Sequence, residues 1–213
     1  MITRTTVDMA FLTAIAVALV TILAVAGDSR PRASPVGDAS PTKTDPSLMA
    51  ADYFPNVVLQ TQEGKRVRFY DDLLKGKVVL INFMYTSCPI ECPRTTANLG
   101  KVEEALGDRV GRDVVMISMT VDPLNDTPAV LNRYARRYGA KPGWYFVTGK
   151  QADLDLIRRR LGVYDDAVDK TQHTGILVYG NEATGRWAAT PALAPPKAIV
   201  KSVMGLMDQQ AGG

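Results

Sequence analysis

The sequence predicts an α/β fold, a three-layer sandwich built round a mixed central sheet. Three observations carry that expectation. Lys77–Tyr85, KVVLINFMY, and Val114–Val121, VVMISMTV, are near-continuous runs of β-branched, aromatic and other apolar residues, as strands covered on both faces show. Each is followed by a segment with apolar residues at helical spacing. A last strand, a hairpin partner and a closing helix then end the chain.

Met9–Gly27 comes first, 19 residues without a charge and rich in Ala, Val, Leu and Ile. At about 1.5 Å per residue such a run crosses a hydrocarbon core of about 30 Å. Ala24-Val25-Ala26 has the form of a cleavage site, yet the run exceeds the ~7–15 apolar residues of a cleaved signal. The expectation is an uncleaved single-pass anchor within residues 1–27. Either reading exports everything beyond it. No Arg- and Ser-rich amphipathic leader precedes the run, which argues against mitochondrial import. The expected home is the bacterial inner membrane, with the domain facing the periplasm.

Residues 28–50 are dominated by Pro, Ser, Asp and Thr, too polar to offset their chain entropy by burial, and are expected to form a disordered, flexible linker. Residues 51–210 have the size of one domain. The formal net charge of +3 is mild and no Lys/Arg block interleaves with aromatics, so no nucleic-acid partner is expected. Arg158-Arg159-Arg160 reads as a solvated helix end whose cations complement the dipole.

Within the domain, Val57–Leu59 and Arg66–Phe69 read as short strands around a Glu63-Gly64 turn. After the first central strand, Leu99, Val102 and Leu106 mark a helix running to Gly107. After the second, Asp126 reads as a helix cap ahead of Pro128, with Leu131, Tyr134, Ala135 and Tyr138 on one apolar face. Trp144–Val147 is a strand, and Leu154, Ile157 and Leu161 mark a helix closed by Gly162. Thr174–Tyr179 and Arg186–Ala189 make the terminal hairpin, and Lys197–Met207 the last helix.

Both cysteines of the chain, Cys88 and Cys92, fall where the first central strand hands over to its helix, in TSCPIECP. That carboxyl edge is where open α/β sheets build their sites. Residues four apart share a helix face, and a helix N-terminus favours thiolate. Pro93 disfavours a helical residue before it, so an irregular first turn is expected. The pair supports either a bridge or two soft ligands. A structural disulfide over three intervening residues would stabilise little, because so short a loop has little entropy to lose. The Thr86-x-Cys88 spacing departs from the Thr-x-x-Cys of a peroxidase by one residue.

His173 is the only imidazole, placed just before the strand GILVY. If that strand joins the same sheet, its loop can reach the cysteine loop. Two thiolates and one imidazole make a soft set that suits Cu(I) and accepts Cu(II) with a further ligand. Structural zinc would want a fourth protein ligand, and no further Cys or His exists. Met84, Met116 and Met119 are better explained by core packing.

INFMYTSCPIECP, Met119-Thr-Val-Asp-Pro-Leu-Asn-Asp-Thr-Pro-Ala-Val-Leu and His173-Thr174 before Gly-Ile-Leu-Val-Tyr occur in order and at matching spacing. Together they resemble the Sco/SenC family of copper-binding, thioredoxin-like proteins that serve cytochrome oxidase assembly. The resemblance implies a thioredoxin-like sandwich with Cys88, Cys92 and His173 as copper ligands. Anchor and tether fit that architecture. Many members carry Asp before the His, where this chain has Gln172. That departure leans the site toward Cu(I), with Asp169 and Asp122 as candidates for the missing carboxylate near the site. For Asp122 a turn residue bonding its own backbone is the competing reading.

The function implied is a membrane-tethered copper metallochaperone. It would take copper from an upstream donor and deliver it to the CuA site of cytochrome c oxidase subunit II. That is binding and transfer, not enzymatic catalysis. The alternative is an enzyme, a thiol-disulfide oxidoreductase that keeps the oxidase cysteines reduced through Cys88 and Cys92.

Overall fold

The computed structural model describes residues 52–164 and 175–208. The proposed anchor and linker, and the segment with Asp169, Gln172 and His173, lie outside the described residues. Among the described residues no helix is long and apolar enough to cross a membrane.

Seven strands form one sheet: β1 Val58–Thr61, β2 Arg66–Arg68, β3 Val78–Met84, β4 Val114–Thr120, β5 Trp144–Thr148, β6 Ile176–Asn181 and β7 Arg186–Pro191. Their order is β2-β1-β5-β4-β3-β6-β7. β3, β4 and β5 run parallel, while β6 is antiparallel to β3, β7 to β6, and β1 to both β5 and β2. Among the described residues four α-helices connect or close these strands: α1 Glu91–Leu106, α2 Pro128–Arg137, α3 Gln151–Arg160 and α4 Pro196–Asp208.

The topology decides which helix lies where. From β3 to β4 to β5 the chain steps across the sheet in one direction, and right-handed crossovers then put α1 and α2 on one face. A hydroxyl contact of 3.0 Å between Thr96 of α1 and Tyr134 of α2 joins them there. α4 packs against α1 on the same face, and its Leu206 carbonyl accepts from the Asn181 amide of β6 at 2.9 Å. Trp144 and Phe146, two residues apart on β5, stack on that side at 5.2 Å. The opposite face takes Leu59, Leu154 of α3, and Phe54, whose ring lies 4.8 Å from Trp187. With both faces covered, every residue of β3 and β4 is buried, which is why their sequences are continuous and not alternating. The mixed sheet, its two βαβ units, the antiparallel hairpin and the closing helix make the thioredoxin-like arrangement.

Three local readings of the sequence are corrected. Phe69 does not extend β2. It starts a wide helical turn, Phe69–Leu74, whose Phe69, Tyr70, Leu73 and Leu74 are buried. Asp126 does not cap α2. Thr127, immediately before the proline at the first helical position, accepts from the Val130 N–H at 3.4 Å, while the Asp126 carboxylate turns inward. The end of α3 is stacked as well as solvated. The Arg158 and Arg159 guanidiniums lie 4.8 and 3.9 Å from the centroid of Tyr164, and Arg160 lies 5.4 Å from that of Tyr53. Arg158 also pairs with Asp155 at 3.4 Å and is only 13% exposed. Tyr53 is far away in sequence, so periodicity along α3 could not have found it.

Candidate functional site

The site begins with how β3 ends. Met84 is its last residue, and its carbonyl accepts from Val121 N–H at 2.9 Å, so the chain leaves the sheet beside the end of β4. Tyr85 then closes a tight turn, its carbonyl accepting from Cys88 N–H at 3.2 Å. α1 starts three residues later and is regular from Glu91 onward, contrary to the expected irregular turn. Pro93 is accommodated because the first-turn N–H groups of a helix have no intrahelical partner, so its missing donor costs nothing there.

Cys88 lies before α1 and Cys92 inside it, so the two do not share a helix face. A hydrogen bond relates them instead: the Cys92 N–H donates to Cys88 Sγ at 3.2 Å. The sulfur thus accepts one of the orphan N–H groups at the helix start, in the manner of a capping side chain. Both cysteines are unbridged and buried, 7% and 1% exposed.

Their acidities diverge. Burial pushes the Cys88 thiol up, but hydrogen bonds from the Cys92 thiol, the Cys92 and Ile90 amides and the Tyr85 side chain outweigh it, and its pKa falls below the ordinary value. Burial pushes Cys92 up as well, and donating its proton toward Cys88 holds it protonated, with the charges of Cys88 and Glu91 adding to the effect. The pair is therefore unequal, Cys88 the more acidic thiol and Cys92 the less.

The surrounding loops fix this arrangement from both sides. Ahead of Cys88, Thr86 donates through its N–H and hydroxyl to Asp126, which is 1% exposed and also accepts from the Thr120 hydroxyl at 2.5 Å. Beyond Cys92, the Thr96 hydroxyl donates to the Cys92 carbonyl at 2.7 Å and meets the Tyr134 hydroxyl. Sequence reading missed Asp126, Thr96, Tyr134 and Tyr85 as parts of the site. For Asp126 a signal existed: Asp-Thr-Pro offers two capping residues where a helix needs one, which leaves the other free.

Asp122 stands at the end of β4 on the cysteine edge, 5% exposed. Its carbonyl accepts from the Asn125 and Asp126 amides at 3.1 and 2.9 Å, and its carboxylate accepts from the Asn125 side chain at 2.9 Å. Those contacts make it part of the turn between β4 and α2. Among the described residues no three His, Cys, Asp or Glu side chains converge as a metal group. His173, Gln172 and Asp169 lie outside the described residues. Gly175, two positions after His173, is described. A Cβ on it would stand 3.3 Å from Glu91 Oε2, at the first residue of α1 beside Cys92. β6 pairs Leu177 with Asn82, so its first residues run alongside the end of β3.

Comparison with known proteins agrees with this geometry. Residues 48–207 match the SCO1/SenC family model. An SCO1 protein homolog of Bacillus subtilis is 38% identical over 98 residues, covering 45% of this chain and 49% of that protein. The chain thus spans about half the length of the curated relatives it matches. Among solved structures, Bradyrhizobium japonicum ScoI with copper bound superposes with a TM-score of 0.58 at 28% identity, covering 70% of this chain and 96% of that one. BsSco, a member of the Sco family of cytochrome c oxidase assembly proteins in which a disulfide switch was identified, gives 0.59 at 25% identity, covering 72% and 94%. A family match over most of the chain, carried on the thioredoxin-like fold with the Cys88–Cys92 pair at its strand edge, means that this chain belongs to the SCO1/SenC family.

Proposed function

We propose that this protein is a copper metallochaperone that binds copper as cargo through Cys88, Cys92 and His173 and delivers it to the CuA site of cytochrome c oxidase. One observation carries the reading: two unbridged, buried thiols tied by the 3.2 Å Cys92 N–H to Cys88 Sγ contact, one of them with a depressed pKa. Thiolate is the form that binds metal, and a sulfur pair is a soft donor set suited to Cu(I). The Gly175–Glu91 approach supports His173 as the third ligand, because two residues span at most about 7 Å of chain. The copper-bound ScoI relative supports copper as the metal, and BsSco, by its family description, supports an oxidase client. Transfer proceeds by ligand exchange, an incoming thiolate displacing one protein ligand at a time. Copper arrives from an upstream donor, and Met9–Gly27 holds the domain on the periplasmic face of the bacterial inner membrane.

A second reading is favoured by the unequal cysteines. A depressed attacking thiol beside a protonated partner is the arrangement a thiol-disulfide reductase uses, so the same pair would keep the client's cysteines reduced.

Cu(I) competition titrations on the reduced full chain in detergent micelles test the first reading, alongside His173→Ala and a Cys88→Ser/Cys92→Ser double variant. One copper per chain is expected, weakened by His173→Ala and lost in the double variant. Wild-type binding no tighter than that of the double variant defeats the copper reading. Undiminished reduction of client disulfides by His173→Ala would then leave the reductase.

A further inference from the structure

We propose that Asp126 is a positioning residue for the cysteine pair, holding the loop ahead of Cys88 so that the pair stays an unbridged dithiol. The inference rests on the reading above that Cys88 and Cys92 are the working pair, and it names what sets their balance between dithiol and disulfide.

Asp126 is almost wholly buried at the start of α2, 1% exposed, and no cation is among its hydrogen-bond partners in the described structure. Its carboxylate is satisfied by donors from two strand ends. From the end of β4 comes the Thr120 hydroxyl, at 2.5 Å to Oδ2. From the cysteine loop come the Thr86 N–H, at 3.3 and 3.1 Å to the two oxygens, and the Thr86 hydroxyl. Hydrogen bonds to an ionised acceptor are the strong ones, and a buried carboxylate that loses a donor has no water to replace it. Thr86 therefore cannot move without a cost at Asp126. Only Ser87 separates it from Cys88.

This anchoring is seen around unbridged cysteines. A disulfide brings sulfurs to about 2.05 Å and demands its own Cα separation and dihedral, so the loop carrying Cys88 is the part that adjusts if the pair closes. Cys92 is the less mobile partner, being inside α1 with its carbonyl held by Thr96. The shift falls on the loop that Asp126 grips. Loosening that grip makes closure easier.

The reaction that reads this is exchange with glutathione. The protein dithiol reduces oxidised glutathione: the glutathione S–S bond breaks, the Cys88–Cys92 bond forms, and two electrons and two protons end on two glutathione thiols. The full chain in detergent micelles, free of metal, is equilibrated in glutathione buffers and its closed fraction measured by quenching with a thiol-alkylating reagent. Asp126→Asn and Thr86→Val are each expected to raise the equilibrium constant for closure about five-fold, the scale of one lost hydrogen bond. Thr86→Ser, which restores the hydroxyl, returns it to wild type. Thr120→Val removes a donor from the same carboxylate but not from the cysteine loop, so it lowers melting temperature and leaves closure unchanged. Equal shifts in Thr120→Val and Thr86→Val, or no shift in Thr86→Val, overturn the proposal. Should Asp126→Asn fail to fold, the two Thr86 variants still decide. No copper enters the experiment, so its failure is separate from failure of the copper reading.

Discussion

The Cys92 amide points at the sulfur of Cys88 from 3.2 Å, so the second cysteine of the motif helps to set the acidity of the first through its backbone. The thiol of Cys92 adds a second donor to the same sulfur, and burial, followed by that donation, suppresses its own ionisation.

Alkylation should therefore be selective. The depressed pKa of Cys88 means that its thiolate fraction survives as pH falls below the ordinary thiol range of about 8.5, while Cys92 stays protonated through and above it. With iodoacetamide at pH 7, Cys88 is expected to react at least about ten times faster than Cys92. Peptide mass spectrometry of a time course checks this, and equal labelling of the two would contradict it.

The Thr96–Tyr134 contact should matter for stability more on one side than the other. Thr96→Val removes the hydroxyl that contacts both the Cys92 carbonyl and the buried Tyr134 hydroxyl, whereas Tyr134→Phe removes one end of the second contact together with its need for a partner. The expected costs are about 2 kcal/mol and about 1 kcal/mol, read from urea unfolding. Burial holds the Tyr134 phenol far above its ordinary pKa, with the charges of Tyr138 and Cys92 adding to the rise against the lowering effect of Thr96. Neither cost should therefore vary between pH 6 and 9.

Glu103 offers a test with a definite sign. It is buried on α1, accepting from the Lys141 N–H at 2.8 Å, and burial raises its pKa above the usual carboxylate value despite that donor and the lysine charge. A raised carboxyl pKa means that the folded state holds its proton more tightly than the unfolded chain. The associated stability is present at low pH and is lost as pH rises through the folded pKa. Glu103→Gln keeps an oxygen acceptor and removes the buried charge. It is expected to be at least as stable as wild type at pH 7, with wild type gaining on it as pH falls toward 4. Melting temperatures across that range decide.

Gly143 and Gly111 meet backbone to backbone where the loop before β5 crosses the one before β4. A Cβ on Gly143 would lie 2.4 Å from Gly111 Cα, with Gly143 itself at a φ of 100°. Gly64, in the β1–β2 turn, also has positive φ but open space around it. Gly143→Ala is therefore expected to cost about 3 kcal/mol or more, against about 1 kcal/mol for Gly64→Ala. Similar melting temperatures for the two variants would refute the contact.

Most of the sheet was legible because burial on both faces leaves a mark in composition. β3 and β4 have no exposed residue, and their runs of Val, Ile, Leu and Met read as strands within one residue of the observed ends. The helices were legible from spacing and punctuation, with α1 ending at Gly107 as expected. The wide turn at Phe69–Leu74 was not, because six residues carry no periodicity that distinguishes a turn from the end of a strand. Asp126 was assigned to the helix beside it, since a sequence shows which residues can cap and not which donors lie across the fold.

The sequence by itself determined the α/β class and the order of elements. It also placed the cysteine pair at a strand's carboxyl edge, because hydrophobic burial and helix punctuation are written locally. The tertiary structure alone decided what the pair becomes. Cys88 lies outside α1 and Cys92 within it, so their relation is a hydrogen bond to sulfur and not a shared helix face. The acidity of Cys88 is set by amides and a phenol that reach it only once the turn after β3 has closed. The loop's position is set by Asp126, some forty residues on, whose distance in sequence gives no hint of its contact with Thr86. Strand and helix propensities are properties of neighbours along the chain, whereas hydrogen bonds to a buried thiolate or carboxylate depend on what folding brings alongside it.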